Sequence, residues 1–195
     1  MGRRALLLLL ATVFVTTLAT ACQESAGPAW SLVVTGRIEN RTQAAIPADA
    51  RLLAVWGVSS GTPDYAYVFG EGTINRLTGT FRIEFDQPPP FEALNRGMVG
   101  VAFIIATTDQ SMQAGIMTSP STGIIGITGQ HAVIFVQNRD TSLRTTWVAE
   151  FADGYSVGVG VKVPGEVFDK FQPTSSWSPV LIIDDLANIE IVNWT

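Results

Sequence analysis

Apolar and polar residues alternate with a period of two over several stretches, and this alternation constrains the fold more than any other feature. It is clearest in RLTGTFRIEFD (76–86), where Leu77, Gly79, Phe81, Ile83 and Phe85 alternate with polar residues. The same pattern recurs in LVVTGRIE (32–39), LRTTWVAEF (143–151) and YSVGVGVKV (155–163). Since successive side chains of a strand point to opposite faces, this pattern is typical of half-buried antiparallel strands.

Other stretches are apolar throughout and predict central strands that are covered on both faces. They are RLLAVWGV (51–58), VGVAFIIAT (99–107), HAVIFVQ (131–137) and VLII (180–183). Turn-forming segments rich in Gly, Pro, Asp and Ser separate the strands, and no long amphipathic helix is indicated. About nine to eleven strands and this spacing of turns predict an all-β fold, either a sandwich or a barrel. We favour a single antiparallel β-sandwich over residues 30–195.

The N-terminal segment has the sequence features of an export signal that is followed by a short tether. A basic start (MGRR) precedes an apolar run of about fifteen residues and then the small residues ATA, which is the order of a secretory signal peptide. We therefore expect a cleaved signal over residues 1–21 and a short polar tether over 22–29. A retained transmembrane anchor is the alternative, but it usually needs roughly twenty apolar residues.

The sole cysteine lies at the end of this signal, in LATAC (18–22). The segment resembles the lipobox of bacterial lipoproteins. The resemblance implies cleavage after Ala21, attachment of a diacylglyceryl group to the thiol of Cys22, and membrane anchoring through that lipid. Gln23 after the cysteine implies sorting to the outer membrane of a Gram-negative bacterium. Ala19 and Ala21 also satisfy ordinary signal peptidase, which would instead release a secreted chain that begins at Cys22.

Part of the body also resembles a known domain class. The segments are VTGRIENRTQAAIPADARLLAVWGVSS (34–60) and GTFRIEFDQPPPFEALNRGMVGVAFIIA (79–106). They are similar to the transthyretin-like (prealbumin-like) domains of small bacterial lipoproteins, in which a glycine-bearing strand, a Pro-x-x-Ala connection and an apolar strand follow one another. This resemblance implies an immunoglobulin-like or transthyretin-like β-sandwich and no particular activity.

No motif in the chain predicts catalysis, a metal site or a cofactor. One cysteine and one histidine, His131, cannot build a zinc cluster, and no G-x-S-x-G elbow is present. Glu84 and Asp86 share a strand face, but Arg82 shares it too, which favours a solvated face over a pair of catalytic carboxylates. Loss of the signal, with Arg3 and Arg4, takes the formal net charge from −5 to −7. Nucleic acid is therefore not an expected partner, because binding it needs a basic surface.

Trp177 is the one aromatic residue with a candidate ligand contact. It lies in the Ser/Pro-rich segment QPTSSWSPV (172–180), where an exposed indole could stack on a sugar ring or contact a partner protein. The alternative is that it caps one end of the fold. We therefore expect a lipid-anchored, non-enzymatic cell-envelope protein with a binding or structural role and a protein or glycan partner. The second hypothesis is a carbohydrate-binding or carbohydrate-active module that uses Trp177.

Overall fold

The computed structural model describes residues 30–58, 65–95, 98–118, 123–137, 147–161, 170–175 and 179–184. These residues form eleven strands: β1 (Leu32–Asn40), β2 (Arg51–Val58), β3 (Tyr65–Asn75), β4 (Thr80–Phe85), β5 (Val99–Thr107), β6 (Met117–Thr118), β7 (Ile124–Ile127), β8 (His131–Val136), β9 (Gly154–Val161), β10 (Lys170–Pro173) and β11 (Val180–Ile183). Two 3-10 turns lie at Phe91–Ala93 and Trp147–Glu150. The all-β prediction is confirmed.

The predicted sandwich is wrong, because seven of the strands close into a barrel. Each strand pairs with the next in the ring β5-β2-β3-β4-β1-β11-β7, and β7 pairs again with β5. The closing strand, β11, is parallel to β1 and antiparallel to β7. Alternation along a strand shows which face is buried, and a closed sheet buries that face as well as two facing sheets do. The pairing of β11 with β1 joins the two termini of the described fold. It closes the sheet into a barrel, whereas a sandwich would leave two separate sheets.

The barrel interior is filled by the inward side chains that the alternation identifies. Phe81, Ile83 and Phe85 of β4 are buried there, as predicted. They pack with inward residues of the other barrel strands, which include Val34, Leu52, Ala54, Trp56, Ala102, Ile104, Ala106, Leu181 and Ile183. Gly36 of β1 permits this packing, because a Cβ there would collide with the ring of Phe81 and with the carbonyl oxygen of Pro179.

Strands β2 and β5 are buried on both faces because a second layer covers their outer sides, as their apolar sequences predict. Leu53 and Val55 of β2 and Ile105 of β5 pack outside the barrel against Met112. Farther along β5, Val101 and Phe103 belong to a cluster with Ile134 of β8, Phe151 and Phe171.

A three-stranded extension leaves the barrel at the junction of β7 and β8. Both strands pair with β5, but the turn around Thr128 lies between them, so that β8 diverges and pairs with β9, which pairs with β10. One face of this extension covers an end of the barrel. There the ring of Phe135 lies 4.8 Å from Tyr155, and the ring of Tyr155 lies 5.2 Å from Phe85.

Three local predictions need correction. Leu77 was expected to point inward with Phe81, but it lies in the turn between β3 and β4 and is 99% exposed. The stretch around Trp147 and Phe151 is a 3-10 turn rather than a strand. The apolar spacing over so short a stretch does not distinguish a strand from a helical turn. Burial along β11 alternates, so only one of its faces is fully buried.

Candidate functional site

The lipidation and ligand-contact residues predicted from the sequence fall outside the described structure. Ala21, Cys22 and Trp177 are in segments that the structure does not describe, so their assigned roles stay predictions. Within the part of the chain that is described, no helix is long and apolar enough to cross a membrane.

His131, the only histidine, begins β8 and is half-buried. Its backbone N–H donates to the carbonyl oxygen of Thr128 (3.2 Å), and its own carbonyl oxygen accepts from Thr128 Oγ1 (3.1 Å). Burial lowers the pKa of the imidazole, because desolvation penalises its charged form. These backbone contacts give His131 a structural role at the start of β8.

The acidic groups that could suggest chemistry are paired with arginine on the surface. Arg82 Nη1 donates to Glu84 Oε2 at 2.7 Å, and both side chains are about half exposed, which agrees with the solvated face predicted from the sequence. Among the described residues, no group of three or more His, Cys, Asp or Glu side chains could hold a metal ion.

A concave surface lies on the outer side of the barrel, where β1, β4 and β3 run side by side. We call it the polar face, and it comprises six outward-pointing side chains: Thr35 and Arg37 of β1, Thr80 and Arg82 of β4, and Thr73 and Asn75 of β3. The backbones of Gly36 and Phe81 complete its floor, while the ring of Phe81 fills the barrel interior.

Strand register arranges these six residues in two rows across the three strands. Arg82 lies opposite Thr35 on one side and Thr73 on the other. Thr80 likewise lies between Arg37 and Asn75. Directly opposed residues have Cβ atoms about 5 Å apart and diagonal neighbours about 7–8 Å apart. The two guanidinium groups are therefore diagonal neighbours on a surface of hydroxyl and amide groups.

Arg37 is the one guanidinium near this surface that has no side-chain hydrogen bond or ion pair with another described residue. Arg82 is bound to Glu84, while Arg41 Nε donates to Glu39 Oε1 at 2.8 Å and Arg51 Nη2 to Glu71 Oε1 at 3.0 Å. The hydrogen bond from Arg41, followed by its charge and the charge of Arg37, lowers the pKa of Glu39. Among the described residues, the guanidinium donors of Arg37 thus have no acceptor.

The sequence predicted two strands of the polar face, but it did not predict that their outward residues form a candidate binding surface. It placed Thr35 and Arg37 on the outer face of one strand and Thr80 and Arg82 on that of another. It did not identify β3, where Gly70 and Gly72 interrupt the apolar pattern. Threonine and arginine at alternate positions in each strand were the sequence signal for this surface. These residues form one surface only because strands distant in the sequence pair with each other.

The fold and the site together define a closed, filled β-barrel with a polar ligand-accessible outer face. No protein-family model, curated protein or solved structure matches this chain.

Proposed function

We propose that this chain is an exported, lipid-anchored binding protein of the cell envelope whose polar face contacts the ligand. In this proposal the signal is cleaved after Ala21, the thiol of Cys22 carries the lipid, and residues 23–29 link the lipid to the barrel. The lipobox-like LATAC segment supports the anchor, and Gln23 supports the outer membrane of a Gram-negative bacterium as its location.

The guanidinium of Arg37, which has no acceptor among the described residues, is the observation that carries the binding role. Arginine binds carboxylate, sulfate and phosphate oxygens through two parallel hydrogen bonds, and such charge-assisted bonds are stronger than neutral ones. The neighbouring hydroxyl groups of Thr35, Thr73 and Thr80 both donate and accept hydrogen bonds. A ligand with an acidic group next to several hydroxyl groups could form hydrogen bonds with both Arg37 and the threonines. We therefore propose an acidic polysaccharide as the ligand class.

A carbohydrate ligand also connects the polar face with the hypothesis about Trp177. Pro179 follows Trp177 by two residues, and its carbonyl oxygen accepts a hydrogen bond from the backbone N–H of Arg37 (3.2 Å). The segment that contains Trp177 therefore rejoins the described structure beside the polar face. An indole that stacks on a sugar ring would complement the polar contacts of Arg37. The second candidate function is thus a carbohydrate-binding module in which Trp177 takes part.

Binding measurements on the polar face test the proposal. Polygalacturonate, with neutral dextran as the uncharged comparison, is titrated into the protein and into the variant Arg37→Ala. Because a hydrogen bond to a charged group contributes about 1.5–3 kcal/mol, we expect the variant to bind polygalacturonate at least about tenfold more weakly.

Arg41→Ala is the matched control, because it removes the same charge just beyond the end of β1 but lies off the polar face and is paired with Glu39. The proposal predicts that Arg41→Ala keeps most of the affinity. Equal losses in the two variants would indicate general charge attraction. The absence of binding to polygalacturonate by the wild-type protein would contradict the proposed ligand class.

A further inference from the structure

We propose that the end of the barrel that the β8–β10 extension covers faces the membrane that holds the lipid of Cys22, with Trp30 and Phe91 in contact with the bilayer. We call this end, defined by Trp30 and the 3-10 turn Phe91–Ala93, the aromatic end. The inference rests on the proposed lipidation and adds an orientation that lipidation alone does not require.

Strand directions place the two aromatic residues at the same end. Trp30 comes just before β1, whose first residue, Leu32, pairs with Phe85, the last residue of β4. The chain then leaves β4 and reaches Phe91 after five residues, before it enters β5. The opposite end of these strands carries the β3–β4 turn with Leu77.

Both side chains are exposed although they are held by packed structure. The ring of Trp30 lies 5.7 Å from that of Phe135, yet Trp30 is 39% exposed. Phe91 is 71% exposed, while Ala93 and Leu94, two and three residues later, are buried and fix the turn to the barrel. Tryptophan and other aromatic side chains are favoured at the boundary between lipid and water, where an apolar ring contacts the acyl region.

The length of the tether supports a bilayer as the surface that covers this end. Eight residue steps separate Cys22 from Trp30, and a fully extended chain of that length spans about 28 Å. The nine residues of β1 carry the chain about 30 Å farther, toward the opposite end of the barrel. Trp30 therefore lies within about 28 Å of a lipid at Cys22, whereas the end with Leu77 is separated from that lipid by the further length of β1.

The charges at the aromatic end specify the kind of bilayer. Asp86 and Glu92 are exposed next to Phe85 and Phe91, so a strongly anionic surface would repel this end. The bilayer that matches this end is therefore one of zwitterionic lipids. The polar face lies on the side of the barrel, and its row with Arg37 and Thr80 is in the half nearer Leu77, so this orientation leaves it accessible.

A fluorescent probe at each end of the barrel tests the orientation. In the acylated protein the thiol of Cys22 is blocked, so Phe91→Cys supplies a single reactive thiol for an environment-sensitive fluorophore. Leu77→Cys is the matched control, because it also replaces an exposed apolar residue but lies at the opposite end. Both proteins are reconstituted into phosphatidylcholine vesicles with and without lipids that carry a nitroxide near the headgroup end of the acyl chain.

We expect the probe at position 91 to shift to the blue and to lose intensity in the nitroxide vesicles, whereas the probe at position 77 keeps its aqueous spectrum. If the acylated proteins float with the vesicles but neither probe responds, or both respond equally, the orientation is wrong while the lipid anchor stands. If Cys22 carries no acyl group and the protein stays in solution, the anchor itself is wrong. Thermal unfolding of both variants confirms that they are folded.

Discussion

Tyr155 links the extension of the sheet to the end of the barrel. Its hydroxyl donates to the carbonyl oxygen of Gln87 at 2.9 Å, and its ring packs between those of Phe85 and Phe135. Burial raises the pKa of the phenol, and the nearby carboxylate of Asp86 raises it further, because both disfavour a phenolate. This single side chain therefore makes the stability of the fold sensitive to alkaline pH.

Tyr155→Phe should change both the size and the pH dependence of the free energy of unfolding. Near neutral pH the loss of the hydrogen bond to Gln87 should cost about 1 kcal/mol. Above about pH 10 the unfolded phenol loses its proton while the folded one keeps it, so wild-type stability falls as pH rises. The variant lacks this contribution, and its stability should fall less steeply. Urea unfolding between pH 8 and 11 measures both effects, and parallel pH curves for the two proteins would contradict the assignment.

At the scale of the element, the junction of β7 and β8 depends on one buried hydroxyl group. Thr128 is 2% exposed, its N–H donates to the carbonyl oxygen of Ile104 (3.0 Å), and its Oγ1 accepts from the N–H of Ile104 (3.3 Å). The same Oγ1 donates to the carbonyl oxygen of His131. The hydroxyl thus satisfies backbone groups that the ladder loses where β8 diverges from the barrel.

Thr128→Val keeps the shape of the side chain and removes the hydroxyl. We expect it to lower the free energy of unfolding by about 1–3 kcal/mol, because buried backbone groups of Ile104 and His131 lose their partner. Exchange of the Ile104 amide hydrogen should also become faster. Thr108→Val is the control, since Thr108 is only half-buried and its hydroxyl makes one long contact of 3.4 Å. Equal stability of the two variants and unchanged exchange at Ile104 would rule out this role for Thr128.

Strands with a long, regular alternation of apolar residues could be predicted from the sequence. Strands whose place depends on the strand they pair with could not. The alternation of Phe81, Ile83 and Phe85 predicted β4 and its buried face, but the same alternation extended to Leu77 fails because the chain turns there. The four residues of β11 do not indicate that they pair in parallel with β1. That pairing joins strands about 140 residues apart, and no local pattern encodes such a distance.

At the scale of the whole molecule, a closed barrel carries a polar face on its side, and the proposed lipid is attached at Cys22. The barrel interior is filled by side chains, so the proposed ligand is bound from outside. The polar face could not be predicted as a site, because Arg82 beside Glu84 resembles any solvated strand and Arg37 is distinctive only when its neighbours are known. The prediction for Cys22, in contrast, rests on five consecutive residues, because export signals are read as linear sequence.

Labelling of Cys22 tests the central claim of this account, which is that the barrel is an anchored envelope protein. The full chain and the variant Cys22→Ser are expressed in a Gram-negative host that is fed a radiolabelled or alkyne-bearing fatty acid. We predict that the wild-type protein takes up the label and loses residues 1–21, whereas Cys22→Ser takes up none and accumulates as the uncleaved precursor. Normal processing of Cys22→Ser, or a mature wild-type chain without label, would contradict the account.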